Sequence, residues 1–102
     1  MAKLVVLYKK AQDPAAFDAY YASTHAPLAK KIPGLRTFEI STGAVSTPQG
    51  DSNYQLVAIL SFDSLEALQK GLASPEGQAA AADLANFAQA GVELLIFESK
   101  EP

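Results

Sequence analysis

Two short apolar runs, Leu4-Val5-Val6-Leu7 and Leu56-Val57-Ala58-Ile59, constrain this chain more than any other feature. Each is short, aliphatic and partly β-branched, and each is followed by an aspartate and then by helical apolar spacing. Each therefore reads as a strand that feeds a helix. The first run leads to Asp13 and a segment ending at Ala22-Ser23, and the second leads to Asp63 and ends at Ala73-Ser74. Two βαβ halves would leave such an echo.

The remaining elements fall between these anchors. Lys3 to Lys9 is the first strand. Asp13-Pro14 supplies an N-cap and a proline at the first helical position, and Phe17, Tyr20, Tyr21 and Thr24 follow at helical spacing. Pro27 disfavours helical dihedrals at Ala26, so this helix is expected to end or kink near Thr24 and His25, with Leu28 to Ile32 as an extra turn before Pro33-Gly34. Leu35 to Val45 reads as the second strand, Ser46 to Asn53 as a loop and Tyr54 to Phe62 as the third strand. Asp63 with Glu66 makes a capping-box pattern ahead of Leu65, Leu68 and Leu72. Ser74-Pro75-Glu76 opens an alanine-rich helix over Gln78 to Ala90 that carries Leu84 and Phe87 and stops at Gly91. Val92 to Ser99 is the last strand. The order is that of a ferredoxin-like α+β domain, a split βαβ arrangement with a four-stranded antiparallel sheet, and residues 1–102 are read as one such domain.

The strands do not alternate as an antiparallel sheet with one wet face should. Leu4, Val6 and Tyr8 point one way and Val5 and Leu7 the other; Leu56, Ala58 and Leu60 stand opposite Val57 and Ile59. With helices on one side, the other side needs a cover of its own. A second copy of the sheet, giving a homodimer, is the simplest cover, and the alternative is the alanine-rich helix folded over as a lid.

Composition excludes several classes of function. There is no cysteine, which removes disulfides, thiolate metal sites and a thiol nucleophile. Eight Lys and Arg against eleven Asp and Glu, scattered along the chain, offer no patch for a phosphate backbone, so no nucleic-acid partner is expected. The Leu4 to Leu7 run is too short for a signal or a membrane span, and a cytoplasmic protein with no membrane partner is expected. One histidine with dispersed carboxylates matches no metal-ligand spacing, and no glycine fingerprint follows the first strand, so neither a metal nor a bound cofactor is expected.

His25 is the only histidine, the residue type best suited to carrying protons near neutrality. Phe17, Tyr21 and His25 fall at i, i+4 and i+8 and form one stripe on the first helix. The bland alternative is an imidazole that caps the last carbonyls of its helix above an ordinary aromatic core. Tyr8 and Tyr21 are candidates to line a pocket with Phe17, while Tyr20 and Tyr54 read as amphipathic edge residues. Arg36 is a candidate anchor for an acidic substrate group, set against an exposed ion pair. His25 is therefore the catalytic candidate, and Tyr8, Phe17, Tyr21 and Arg36 are the candidate substrate contacts.

Leu7-Tyr8-Lys9, Asp13-Pro14 with Phe17 and Tyr21, His25-Ala26-Pro27-Leu28-Ala29, Pro33-Gly34-Leu35, and Ser74-Pro75-Glu76-Gly77-Gln78 followed by Asp83, Leu84 and Phe87 together resemble the EthD family. That family is named for ethyl tert-butyl ether degradation and belongs to the dimeric α/β-barrel superfamily. The resemblance implies a subunit whose sheet joins its twin's in a barrel. It implies too a setting in degradation or secondary metabolism, a general oxidoreductase label, and kinship with cofactor-free monooxygenases, polyketide cyclases and lactone isomerases. His25 matches the histidine of the family's His-x-Pro segment. Two functions follow as expectations: an enzyme acting on a small hydrophobic molecule, in which His25 moves a proton, or an accessory protein that carries a pathway intermediate in its apolar cavity.

Overall fold

The computed structural model describes residues 1–102. In chain order, β1 (Ala2–Lys9) is followed by α1 (Pro14–Tyr20), a π-helical turn (Tyr21–His25) and α2 (Ala26–Ala29). Next come β2 (Thr37–Ile40), a small hairpin of β3 (Ser46–Thr47) and β4 (Gly50–Asp51), and β5 (Tyr54–Phe62). The chain closes with α3 (Leu65–Ala73), α4 (Pro75–Phe87) and β6 (Val92–Glu98). The sheet has the order β2-β5-β1-β6, antiparallel throughout, which is the α+β arrangement read from the element order.

Register fixes which side chains meet. Leu4 lies opposite Leu60, Val6 opposite Ala58 and Tyr8 opposite Leu56, and all six are buried beneath the helices. A fully buried aliphatic or aromatic side chain stabilises a fold by roughly 1.5–3 kcal/mol, so these central pairs dominate the core. Phe17, Tyr21, Ala29, Leu68, Ala80 and Phe87 complete it from the helices. Two glycines set how closely the helices approach. A Cβ at Gly71 would stand 2.7 Å from the Pro33 carbonyl oxygen, and one at Gly77 would run into the carbonyls of Gly71 and Leu72, where α3 turns into α4.

The caps are local and follow the sequence in two cases out of three. The Asp13 carboxylate accepts from the Ala16 N–H at 3.1 Å, and the Ser74 hydroxyl accepts from the Gly77 N–H at 3.0 Å. The third differs: Ser64, not Asp63, caps α3, accepting from the Ala67 N–H at 3.1 Å. Asp63 is taken instead by Arg36, whose guanidinium holds both carboxylate oxygens at 2.9 and 2.6 Å. A bidentate charged pair outcompetes a single backbone donor for that carboxylate.

The first helix does not end at His25. Ala26 stays helical, at φ −58° and ψ −43°, and its N–H bonds the Tyr21 carbonyl five residues back. The wider π turn lets the chain run on through Pro27, which falls in the first turn of α2, where its missing N–H costs little. The second strand is shorter than Leu35 to Val45: Gly43 turns out of the sheet at φ +70°, and only Thr37–Ile40 keeps strand geometry. The expected loop at Ser46 to Asn53 carries the β3–β4 hairpin, with the Thr47 hydroxyl donating to the Gly50 carbonyl at 3.1 Å. The alanine-rich helix ends at Phe87, three residues early, and the Gly91 N–H closes the turn onto the Ala88 carbonyl.

All four helices lie on the Leu4, Val6, Tyr8 side, and Phe87 of α4 lies tilted against the Tyr8 ring, 5.6 Å between centroids. The lid alternative is thereby corrected, because α4 packs into the helix layer and leaves the other sheet face bare. That face carries Val5, Leu7, Val57 and Ile59, only half-buried. The edge strand β6 is open on both sides, with Leu94, Leu95, Ile96 and Phe97 each 45–50% exposed.

Candidate active site

Phe17, Tyr21 and His25 do share one stripe, and all three are buried against the end of β1. The π turn begins at Tyr21 and ends at His25, so it presents both rings to the core together, 5.3 Å apart between centroids. The Tyr8 ring meets Phe17 at 5.5 Å and Tyr21 at 5.6 Å in edge-on contacts, and Phe87 from α4 lies 4.7 Å from the imidazole. Three aromatic rings around one imidazole, Tyr8, Tyr21 and Phe87, lower the local dielectric and sharpen every polar contact inside it.

Those polar contacts form one chain. His25 Nδ1 lies 3.0 Å from Asp83 Oδ2, Nε2 lies 3.3 Å from the Tyr8 hydroxyl, and neither nitrogen meets a backbone carbonyl. The other Asp83 oxygen accepts from the Tyr20 hydroxyl at 2.6 Å and from the Asn86 amide at 2.9 Å. An ionised carboxylate only accepts, so Nδ1 carries the hydrogen; in the neutral imidazole this leaves Nε2 as the acceptor, with the Tyr8 O–H donating to it. Burial pushes the Asp83 carboxyl up, but the bonds from Tyr20, Asn86 and His25 outweigh burial and hold it below the usual carboxylate range. Burial, aided by the Tyr21 neighbour, drives the Tyr8 phenol far above its ordinary value, and burial pushes Tyr21 up to about 12. Both phenols are neutral donors at physiological pH. The arrangement thus sets an imidazole between a carboxylate and a phenol, with a second phenol beside it, groups of the kind that general acid–base chemistry uses.

A cavity of about 60 Å³ lies between the sheet and the helices, and 14 of its 16 lining residues are hydrophobic. Tyr8, Tyr21 and His25 line it together. Two open grooves flank it. One, of about 540 Å³, lies between the start of α1 and the end of α4 and is bounded by Phe17, Tyr20, Asn86 and Phe87. The other, of about 340 Å³, lies between the π turn and the segment after β2 and is bounded by Tyr21, Ile40, Ser41, Ala44 and Leu56. No three His, Asp or Glu side chains converge as metal ligands, and no helix is long and apolar enough to cross a membrane.

Of the residues singled out in the sequence, Tyr8, Tyr21 and His25 meet at the cavity, while Phe17 supports their rings without lining it. Arg36 stands apart, exposed and paired with Asp63. The capping alternative for His25 does not hold, because the helix continues past it and its nitrogens serve side chains. Tyr20 is more than an edge residue, since it donates to Asp83. Asp83 stands in the sequence only as one residue of the EthD-like segment, with no role attached; its spacing with Ala80, Leu84 and Phe87 puts a charge on the buried stripe of an apolar helix. That signal could have marked it.

The EthD domain family matches residues 9–91. An uncharacterised 11.0 kDa protein from the thcB-thcC intergenic region of Rhodococcus erythropolis is 41% identical, covering 98% of this chain and 96% of that protein. The crystal structure of an EthD family protein from Bacillus halodurans superposes with a TM-score of 0.90 at 38% identity, over 98% of this chain and 99% of that one. SnoaB, a cofactor-independent oxygenase from Streptomyces nogalater, shares the fold with a TM-score of 0.67 at 20% identity, over 99% and 94% of the two chains.

Proposed function

Because this chain belongs to the EthD family, we propose that it is a small homodimeric enzyme that moves a proton on an apolar small molecule. His25 is the base and then the acid, Asp83 orients the imidazole, and Tyr8 and Tyr21 hydrogen-bond a substrate oxygen. The observation that carries this reading is the 3.0 Å His25–Asp83 contact buried in an almost wholly apolar site, which leaves Nε2 basic beside the cavity. A charged carboxylate is expensive to bury unless its partners need it there. That a cofactor-independent oxygenase is built on the same fold is in keeping with chemistry carried by side chains alone.

The homodimer rests on the bare sheet. Val5, Leu7, Val57 and Ile59, continued by the exposed Leu95 and Phe97, make an apolar surface of a kind that soluble monomers seldom leave uncovered. A second copy presents the same surface and covers it by two-fold symmetry.

The test is catalysed exchange of acidic C–H protons in D2O, read by NMR over a panel of small ketones and phenols. Wild type should accelerate exchange in at least one member, and His25→Gln should lower that rate by about 100-fold or more while the melting temperature changes little. Binding that perturbs the resonances around Tyr8 and Tyr21 with no exchange anywhere in the panel would favour an accessory protein that carries the ligand.

A further inference from the structure

The two grooves are not equivalent with respect to His25. The larger one is walled by Tyr20 and Asn86, the two residues that bond the outer oxygen of Asp83. It therefore opens behind the carboxylate, on the Nδ1 side of the ring, where no basic nitrogen is available. The smaller one is walled by Tyr21, which also lines the inner cavity, and by Leu56 and Ile40. In the sheet Leu56 stands directly opposite Tyr8, and Ile40 stands directly opposite Ala58, another cavity residue. Directly opposed residues lie about 5 Å apart. The smaller groove thus abuts the cavity on the Nε2 side, with Tyr21 as the shared wall.

Volume then limits what can reach the base. At roughly 10–15 Å³ for each water-sized sphere, a cavity of 60 Å³ takes about four to six small atoms, too few for a ring with its substituents. The 340 Å³ groove is of the size that holds a small ligand, and its walls mix Ser41, Gln55 and Lys10 with the apolar residues. Resting on the proton-transfer reading above, the geometry points to a substrate with a narrow acyl end, a methyl ketone, whose larger and partly polar body stays in the groove beside Tyr21. The acetyl group enters the cavity. Its carbonyl oxygen takes the Tyr8 hydroxyl, which leaves Nε2 readily because their 3.3 Å contact is long for a bond of this kind. A methyl C–H bond breaks, the proton forms a bond to Nε2, and the electron pair moves onto the carbonyl oxygen as an enolate. The imidazolium then returns a proton to carbon. No oxidant or reductant takes part.

The experiment uses para-hydroxyacetophenone and its blunt-ended analogue para-hydroxypivalophenone, with binding read from protein NMR shifts and exchange read from loss of the acetyl methyl signal in D2O. The acetyl compound should bind at least tenfold more tightly than the pivaloyl compound. Ala44→Trp, an exposed change that fills the smaller groove, should weaken binding tenfold or more, while Ala90→Trp in the larger groove should leave it within twofold. His25→Gln should keep binding and lose exchange. Equal binding of the two ketones, no binding of either at millimolar concentration, or a loss at Ala90→Trp instead of Ala44→Trp overturns the inference. Selective binding of the acetyl compound without exchange retires the proton-transfer reading and leaves the narrow-ended ligand standing.

Discussion

Replacing Asp83 with alanine removes the acceptor at the centre of the buried network. His25 Nδ1 then loses its only partner while only 5% exposed, and a buried donor left unsatisfied costs about 1–3 kcal/mol. Tyr20 and Asn86 border an open groove and can turn to water, so they add little to the sum. The expected loss is about 2 kcal/mol, which for a domain of this size lowers the melting temperature by about 10 °C. His25→Phe in the same background should recover part of that loss, because replacing both partners with apolar groups removes the orphaned donor. The coupling in the cycle of single and double variants should exceed about 1 kcal/mol. pH supplies a further check. The folded carboxyl of Asp83 lies below its ordinary range, so its contribution is present above an unfolded carboxylate pKa of about 3.9 and is lost as pH falls through the lower folded value. The gap between wild type and Asp83→Ala should therefore narrow below about pH 4. Thermal melts at one fixed protein concentration, which hold any effect of self-association on apparent stability constant, measure all three. A fall of less than 2 °C at pH 7, or coupling below about 0.5 kcal/mol, would refute the argument that a buried carboxylate holds this imidazole.

Three further outcomes are expected. Val57→Asp or Ile59→Asp, on the bare face, should give a monomer by light scattering, while Ala58→Asp, under the helices, should unfold the chain; a dimer that survives both bare-face charges would place the interface elsewhere. Asp13→Ala should lose about 1 kcal/mol of N-cap stabilisation, and an unchanged denaturant midpoint would show that α1 begins at another residue. Gly77→Ala, which in an open helix would stabilise by up to about 1 kcal/mol, should here lower the melting temperature because the added methyl meets the carbonyls of Gly71 and Leu72; a rise would mean that the α3–α4 junction can relax.

The difference between Asp13 and Asp63 shows where reading the sequence stops. Both precede a helix, and both look like caps. Asp13 has no competitor and caps; Asp63 lies within reach of Arg36, 27 residues away, and is drawn off, leaving the work to Ser64. The local sterics of Pro27 predict an end or a kink near Thr24 and His25, which is sound for an α-helical ladder. The i to i+5 bond at Tyr21 and Ala26 offered the chain another way through.

Period and punctuation were enough to set the order of strands and helices, the apolar character of both sheet faces and the Phe17, Tyr21, His25 stripe, because these depend on dihedral preference and on neighbours within four residues. Tertiary structure alone decided which face is bare. Ala58 and Leu60 went under the helices and Val57 and Ile59 did not, a choice set by where α3 and α4 dock and not by strand composition. It also supplied Asp83, which lies 58 residues from His25 and is brought to 3.0 Å only when α4 packs over the π turn. A lone histidine in a sequence marks a candidate proton carrier. Which of its nitrogens is basic, and what surrounds it, follows from contacts between residues that the chain does not place side by side.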